Sequence, residues 1–457
     1  MSAEVEANLD GPDNPELEAE LAAAPKPAAP AAPQKRPLVY LVSHLVGGNM
    51  ASMALRMAAG VLQGRLVAPA TLGLFTGIGL SLRYAPFLQL GILDGLYREL
   101  PYHIGRGDRP RAEALASAAQ AWALAVGGLY ALALLAVGGW NLAQGHRWMA
   151  AGWVTNAALA VVFYYKTYYL QLTFRTAHDF SRLALANVVE SVGSLLLLGL
   201  VAWLNFYGLC LRALLAGALG TALLFAWRPI RAGPAWNAAH LKHLLKIGLP
   251  IFGVGQLYAW WSVLNSTLVL KFAGVEGMGL YAMVMMANTT IEFIPSAVNQ
   301  VVHPRMAERY GQAHRVGDLL RISWKPMVLT AAGLVPIVAA AWWLVPPVVR
   351  FLIPKYAAAI PAMRWGLLLP LANCFYPMAG LFQIVRRQDL YGLALGISMA
   401  LYVAVQLWMI RDGVTLSAFP QAMLVGRALF AALCTAFALA LRRRERAASA
   451  AAPEGGR

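Results

Sequence analysis

The chain has 457 residues, of which 59% are hydrophobic and only 13% charged, with a formal net charge of +16. Soluble globular domains carry roughly a quarter of their residues as charges, so this composition excludes a soluble fold and implies an integral membrane protein. The excess of Lys and Arg does not imply nucleic acid, because it sits mostly in short loops between apolar runs, where membrane topology accounts for it.

Residues 1–36 open with Glu4, Glu6, Asp10, Asp13, Glu16, Glu18 and Glu20, the wrong sign for a signal peptide, and continue as an Ala/Pro run. Too poor in branched and aromatic residues to build a core, they read as a disordered cytoplasmic tail. At about twenty apolar residues per crossing, twelve spans follow, near 38–60, 68–95, 112–139, 149–172, 181–203, 206–227, 247–270, 277–301, 326–349, 357–385, 389–410 and 419–441. The expected organisation is an all-α membrane protein. An N-terminal six-helix bundle occupies 37–232, a C-terminal six-helix bundle 233–441, and a basic cytoplasmic tail 442–457. Loops on the tail side hold Arg98, Arg106, Arg109, Arg111, Arg228 and Arg231 among many cations, whereas the opposite loops hold only Arg65, Arg147, Lys271, Arg350, Lys355 and Arg411. The positive-inside rule then places both termini in the cytoplasm.

The second half echoes the first. Gly73-Leu74-Phe75 opens the second span as Gly279-Leu280-Tyr281 opens the eighth, an offset of 206 residues; the loops beginning at Pro101 and Pro304 match at an offset of 203. Six spans per unit give both halves one orientation, so they should be related by an axis along the membrane normal.

Away from the span edges, the interior carries Arg56, Arg83, Lys166, Arg212, Arg364 and Arg427 against Glu190 and Glu292. A charge at the bilayer centre costs roughly 2.5–3.5 kcal/mol on insertion scales, so such side chains face a watered cavity or a partner. An unbalanced cationic interior points to an anionic substrate. Arg83 and Glu292 fall near the middle of the repeat-equivalent second and eighth spans, whereas Arg212, Arg364 and Arg427 lie within about two turns of their span ends, in reach of the interface. Asn288, Glu292, Ser296 and Asn299 or Gln300 form one helical face, expected to line a cavity, and Asn49, Ser52, Met53 and Arg56 form another. Lys166 sits in the run Phe163-Tyr164-Tyr165-Lys166-Thr167-Tyr168-Tyr169, which suits either a sugar or headgroup site or an interfacial aromatic belt. The substrate-binding candidates are therefore Arg56, Arg83, Lys166, Glu292, Asn49, Asn288 and Arg364. Glu292 and Glu190 are coupling candidates, with an ion pair to an arginine as the alternative for either.

No HExxH, GxSxG or P-loop is present, and no clustered carboxylates sit beside a long outer loop, so no catalytic residue is assigned. Cys210, Cys374 and Cys434 lie inside apolar spans without ligand spacing, so neither a metal nor a cofactor is expected.

The stretch Gly91-Ile92-Leu93-Asp94-Gly95-Leu96-Tyr97-Arg98-Glu99-Leu100-Pro101 through Gly105-Arg106-Gly107-Asp108 resembles polysaccharide flippases of the multidrug/oligosaccharidyl-lipid/polysaccharide (MOP) exporter superfamily. So do Leu62-Gln63-Gly64-Arg65, Ala68-Pro69-Ala70-Thr71-Leu72-Gly73-Leu74-Phe75 and Pro304-Arg305-Met306-Ala307-Glu308-Arg309-Tyr310-Gly311. The resemblance implies a MATE-like pair of six-helix bundles around a cavity that opens alternately to each side. It implies a non-enzymatic carrier of undecaprenyl-pyrophosphate-linked oligosaccharide in a bacterial inner membrane, whose cavity arginines meet the pyrophosphate. Expected partners are that substrate, membrane lipids and glycan-assembly proteins. Two rival readings stand beside it: an ion-coupled exporter of cationic drugs from the same superfamily, whose cavity should be acidic, and a membrane glycan polymerase or ligase, which short outer loops disfavour.

Overall fold

The computed structural model describes residues 38–313, 315–385 and 387–451. The expected acidic tail lies outside them, as does the side chain of Asn49. Every regular element among the described residues is helical.

Helix α1 (Leu38–Leu66) is followed by α2 (Pro69–Tyr84), which starts on a proline whose missing N–H costs nothing in a first turn. The second crossing is then interrupted. Ala85–Gln89 tightens to a 3₁₀ turn around Pro86, and Leu90 and Gly91 take the left-handed conformation (φ 56° and 87°) before α3 (Ile92–Gly105) resumes. Asp108 accepts a hydrogen bond from the Arg111 N–H to cap α4 (Arg109–Ala143), and α5 (Arg147–Val162) continues into a π-helical turn over Phe163–Leu170. The first half ends with α6 (Phe180–Leu196), capped in the same way by Asp179, and α7 (Phe206–Ala226).

The second half opens with α8 (Ala238–Ala313), bent at Gly274 (φ 71°, ψ −170°). Asn265 and Tyr281 would lie about 24 Å apart on a straight helix, yet the Asn265 amide donates to the Tyr281 hydroxyl at 2.8 Å. The chain therefore doubles back at Gly274 into a first arm, 238–273, and a second arm, 275–313. Then come α9 (Val316–Leu352), α10 (Ile360–Gly366), α11 (Tyr376–Ile384), α12 (Gln388–Met409) and α13 (Ala418–Ala451). Among the described residues, eight helical stretches are long and apolar enough to cross a membrane, one of them folded at Gly274. With that one counted twice, α1, the broken α2–α3 and α5 with its π continuation complete twelve crossings.

One buried apolar cluster draws on the first half from Ala85 to Leu224, with Leu241 and Leu244 of the first arm packed into it, and another draws on Trp261 to Ala438 of the second half. A third cluster, including Ala59, Leu72, Tyr281 and Phe419, belongs to both. The halves meet around a pseudo-twofold axis, and the contacts show it. A Cβ at Gly73 would overlap the Val275 carbonyl oxygen, and one at Gly279 would overlap the Pro69 carbonyl oxygen. Adding 206 to Pro69 and Gly73 gives Val275 and Gly279, so these contacts are the same contact viewed from either half. The next pair repeats the relation: Gly64 faces Met283, and Gly77 faces Leu270.

Candidate functional site

Both interior carboxylates are already partnered. Glu190 of α6 forms an ion pair with Lys166 of the π segment, the two side chains being 17% and 9% exposed. Gly220 of α7 makes room for the pair, since a Cβ there would overlap Glu190 Oε2 and sit 2.7 Å from Lys166 Nζ. Lys166 is thus engaged inside its own bundle, instead of standing free among the cations available to a substrate.

Glu292 of the second arm accepts from two amides and has one guanidinium beside it. Asn373, between α10 and α11, donates to Oε1; Asn288 donates to Oε2 at 2.9 Å; the Arg427 guanidinium of α13 lies 3.6 Å from Oε1. Asn288 is 3% exposed. The 288–292 face therefore turns into its own bundle. The cavity described next is lined by the neighbouring Thr289, Thr290 and Phe293 of the same arm, while Ser296 and Gln300 of the expected face are exposed.

That cavity, of about 430 Å³, runs between α1, α6 and the second arm of α8. Ser52, Met53, Arg56 and Met57 of α1 and Asn187 of α6 form one wall; Met286, Thr289, Thr290 and Phe293 form the other. Arg56 is exposed within it, and its Nε donates to Ser191 Oγ at 3.3 Å. Toward the 66–69 turn the cavity is shut, because Gly60 packs on Met286, Gly64 on Met283 and Ile353, and the Tyr356 hydroxyl donates to the Val67 carbonyl at 3.1 Å. Toward the chain termini Met50, Ile294 and Val301 are exposed.

Arg83 lies across the axis from this cavity. It is exposed, its Nη1 donates to Ser266 Oγ of the first arm at 3.1 Å, and the neighbouring Tyr84 hydroxyl meets Thr267 Oγ1 at 2.5 Å. Its repeat counterpart, at an offset of 206, is Thr289 of the cavity wall, so Arg83 sits at the same depth on the other seam. Neither Arg56 nor Arg83 forms an ion pair among the described residues. From Ser266 a polar chain continues inward: its neighbour Asn265 bonds Tyr281, and the Tyr402 hydroxyl donates to Asn265 Oδ1 at 3.0 Å.

The remaining interior arginines tie helices together. Arg212 of α7 donates to Gln63 of α1 and, at 2.9 Å, to the Ser194 carbonyl of α6. Arg364 of α10 donates to the Trp342 carbonyl at 3.2 Å and stacks over that indole, 5.5 Å from its centroid, away from the cavity. Trp261 is 1% exposed and packs on Tyr402 and Phe430. Asn373, Arg427, Ser191 and Gly220 were not among the expected site residues. For Asn373 the signal was a lone amide in the apolar run Leu-Ala-Asn-Cys-Phe; for Gly220, a small residue level with Glu190, none was readable.

The three cysteines are buried and free, and no group of three or more His, Cys, Asp or Glu among the described residues has metal-binding geometry.

Residues 118–358, just over half of the chain, match the model of a family described as polysaccharide biosynthesis proteins. No curated protein matches the sequence. Among solved structures, an inward-facing multidrug resistance MATE transporter of the MOP superfamily gives a TM-score of 0.70 at 16% identity, covering 90% of this chain and 100% of that one. An outward-facing conformation of a MATE transporter gives 0.63 at 15% identity, over 89% and 96%. A MOP-superfamily transporter from Pyrococcus furiosus, described by a reversed polarity of its binding pocket, gives 0.61 at 17% identity, over 89% and 96%. At such identities the likeness concerns the fold, which here comprises two six-helix bundles in a multi-pass membrane protein. The chain belongs to the polysaccharide biosynthesis protein family and is built on the fold of the MOP-superfamily transporters.

Proposed function

We propose that this protein is a flippase that carries undecaprenyl-pyrophosphate-linked oligosaccharide, the repeat unit of an O-antigen, capsule or exopolysaccharide, across a bacterial inner membrane by alternating access. Both termini face the cytoplasm. The observation that carries this reading is Arg56: an accessible guanidinium in an interlobe cavity, with a serine hydroxyl and, among the described residues, no carboxylate as its partner. A guanidinium without a counter-ion in a low-dielectric cavity suits a diphosphate, which it binds in a fork. Arg83, equally unpaired at the same depth, supplies a second cation from the other seam.

The cavity is shut at the 66–69 end, so with cytoplasmic termini it is the inward-open state. The higher TM-score with the inward-facing MATE structure, 0.70 against 0.63, agrees. Met53, Met57 and Met286 give the cavity an adaptable apolar lining along the α1 seam, suited to the first isoprene units of a lipid carrier. The drug-exporter reading needs carboxylates free to meet a cation, and Glu190 and Glu292 are both paired.

Transport of labelled undecaprenyl-pyrophosphate glycan in proteoliposomes tests the proposal, comparing wild type with Arg56→Ala and Arg83→Ala at matched insertion. Losing a hydrogen bond to a charged group costs about 1.5–3 kcal/mol, so each variant should transport roughly tenfold or more slowly, with Arg→Lys intermediate. Wild type that moves no lipid-linked glycan but exchanges organic cations overturns the flippase reading.

A further inference from the structure

Away from the span edges, where Asp94 bonds to Gln89, each bundle holds one carboxylate among the described residues, and each of those two lies beside a cation that belongs to the chain. In the first bundle three elements converge to make the pair: the π segment brings Lys166, α6 brings Glu190, and Gly220 of α7 leaves the space between them. In the second bundle the second arm brings Glu292 with Asn288, the α10–α11 connection brings Asn373, and α13 brings Arg427. The two constructions share no repeat-equivalent residue. Lys166 lies on the fourth crossing and Arg427 on the twelfth, Glu190 on the fifth and Glu292 on the eighth. The same outcome has been reached by different side chains in the two halves.

The second construction has the donors of a small-cation site. A carboxylate, its side chain 30% exposed, and two side-chain amides are the hard oxygen ligands that an alkali cation takes, once the amides turn their oxygens inward. Asn288 Oδ1 is buried and has no hydrogen-bond partner. Arg427 is itself incompletely satisfied: its Nε and Nη1 find no hydrogen-bond acceptor. Beside it, a pocket of about 10 Å³ lined by Tyr258, Asn373, Tyr376 and Cys434 is at the threshold for one water molecule. The guanidinium therefore brings to Glu292 the positive charge that a bound ion would bring, but on a tether.

We propose that Arg427 and Lys166 are built-in counter-ions to the two carboxylates, so that neither carboxylate takes up Na⁺, and that removing Arg427 converts Glu292, Asn288 and Asn373 into a monovalent-cation site. This goes beyond the flippase reading, and its test uses no transported substrate, so the two can fail separately.

The experiment is binding of ²²Na⁺ to purified protein in nanodiscs at pH 8, by scintillation proximity, for wild type, Glu292→Gln, Arg427→Met and the double variant Arg427→Met/Glu292→Gln. Wild type and Glu292→Gln should give the same background signal. Arg427→Met should bind Na⁺ saturably and gain thermal stability in NaCl over choline chloride. The double variant should return to background. Glu292-dependent Na⁺ binding by wild type overturns the proposal, as does a folded Arg427→Met that shows no Na⁺ binding. Should Arg427→Met fail to insert, the wild-type and Glu292→Gln comparison still decides the native occupancy. Lys166→Met, with Glu190→Gln as its control, then tests the same substitution logic in the first bundle.

Discussion

Two seams join the halves of this protein, related by one pseudo-twofold axis, yet one is shut and the other holds a cavity. Near the axis they are alike. Gly73 meets Val275 as Gly279 meets Pro69, and Gly77 faces Leu270 as Gly64 faces Met283. Toward the termini they part. On the closed seam, Gly91 and Gly95 of the second crossing press against the backbone of Leu244 and Gly248 in the first arm. On the open seam, the second arm has no glycine between Gly279 and Gly311; the residues at an offset of 206 from Gly91 and Gly95 are Ala297 and Val301. Helices in lipid pack by close approach, which small residues permit and branched ones prevent. The difference teaches that the asymmetry of the two seams is written in glycine placement on a duplicated frame, with close backbone contact along α2–α3 and a cavity along α1.

The largest expected effect comes from spoiling the closed seam. A Cβ at Gly248 would overlap the Gly91 carbonyl oxygen and the Gly95 nitrogen's position at 2.5 Å, both backbone atoms that cannot swing aside. Gly248→Val should cost about 3 kcal/mol, at the upper end of overpacking, and lower the thermal unfolding midpoint in detergent by several degrees. Val301→Ala on the open seam, where the side chain is 50% exposed, should stay within about 0.5 kcal/mol. Equal losses from the two would dissolve the distinction between the seams.

Gly73→Ala probes the part that both seams share. Its Cβ would overlap the Val275 carbonyl oxygen and lie 2.9 Å from Gly279 N, so α2 and the second arm must separate at the axis. Because a single methyl is added where two helix ends can yield, the cost should be smaller, about 1–2 kcal/mol. The separation should also admit a membrane-impermeant thiol reagent from the 66–69 side to a cysteine placed at Ser52. The three native cysteines are buried, which keeps the background low. Labelling unchanged from the Ser52→Cys parent would show that the crossing of Gly73 and Gly279 does not close the cavity.

Much of this frame was legible in the residues. Crossing count and repeat rest on apolar run length and on the Gly73 and Gly279 motifs, and contacts between those motifs reproduce the 206-residue offset. Partners were harder to read. Depth identifies Lys166 and Glu190 as buried charges, but their pairing depends on a π turn rotating Lys166 and on Gly220 of a third helix. Periodicity groups Asn288 with Glu292, yet a helix in a bundle has two polar neighbours to choose from, its own bundle and the interlobe cavity. Here Asn373 and Arg427 decide for the first, and both come from distant segments. Arg427 illustrates the same gap. Its sequence position allowed a reach to the interface, but its side chain is 11% exposed and turned to Glu292.

On the closed seam itself the smallest effect should come from its charges. Glu99 Oε2 of α3 lies 3.0 Å from His243 Nε2 of the first arm and 3.6 Å from His103 Nε2, while His103 Nδ1 is 3.5 Å from Asp108. The Glu99–His243 contact crosses between the halves beside the Gly95 and Leu244 packing, so it is placed to reinforce that packing. His243 is 39% exposed, and pairs so close to water are worth about 0–1 kcal/mol after screening and side-chain ordering. Glu99→Gln keeps the shape and removes the charge, so it should lower stability by less than about 1 kcal/mol, a minor fraction of the Gly248→Val loss in the same unfolding assay. Backbone fit then outweighs charge in closing this seam. If Glu99→Gln costs as much as Gly248→Val, the order reverses: the seam is held by its ion pairs, and the glycines merely permit them to form.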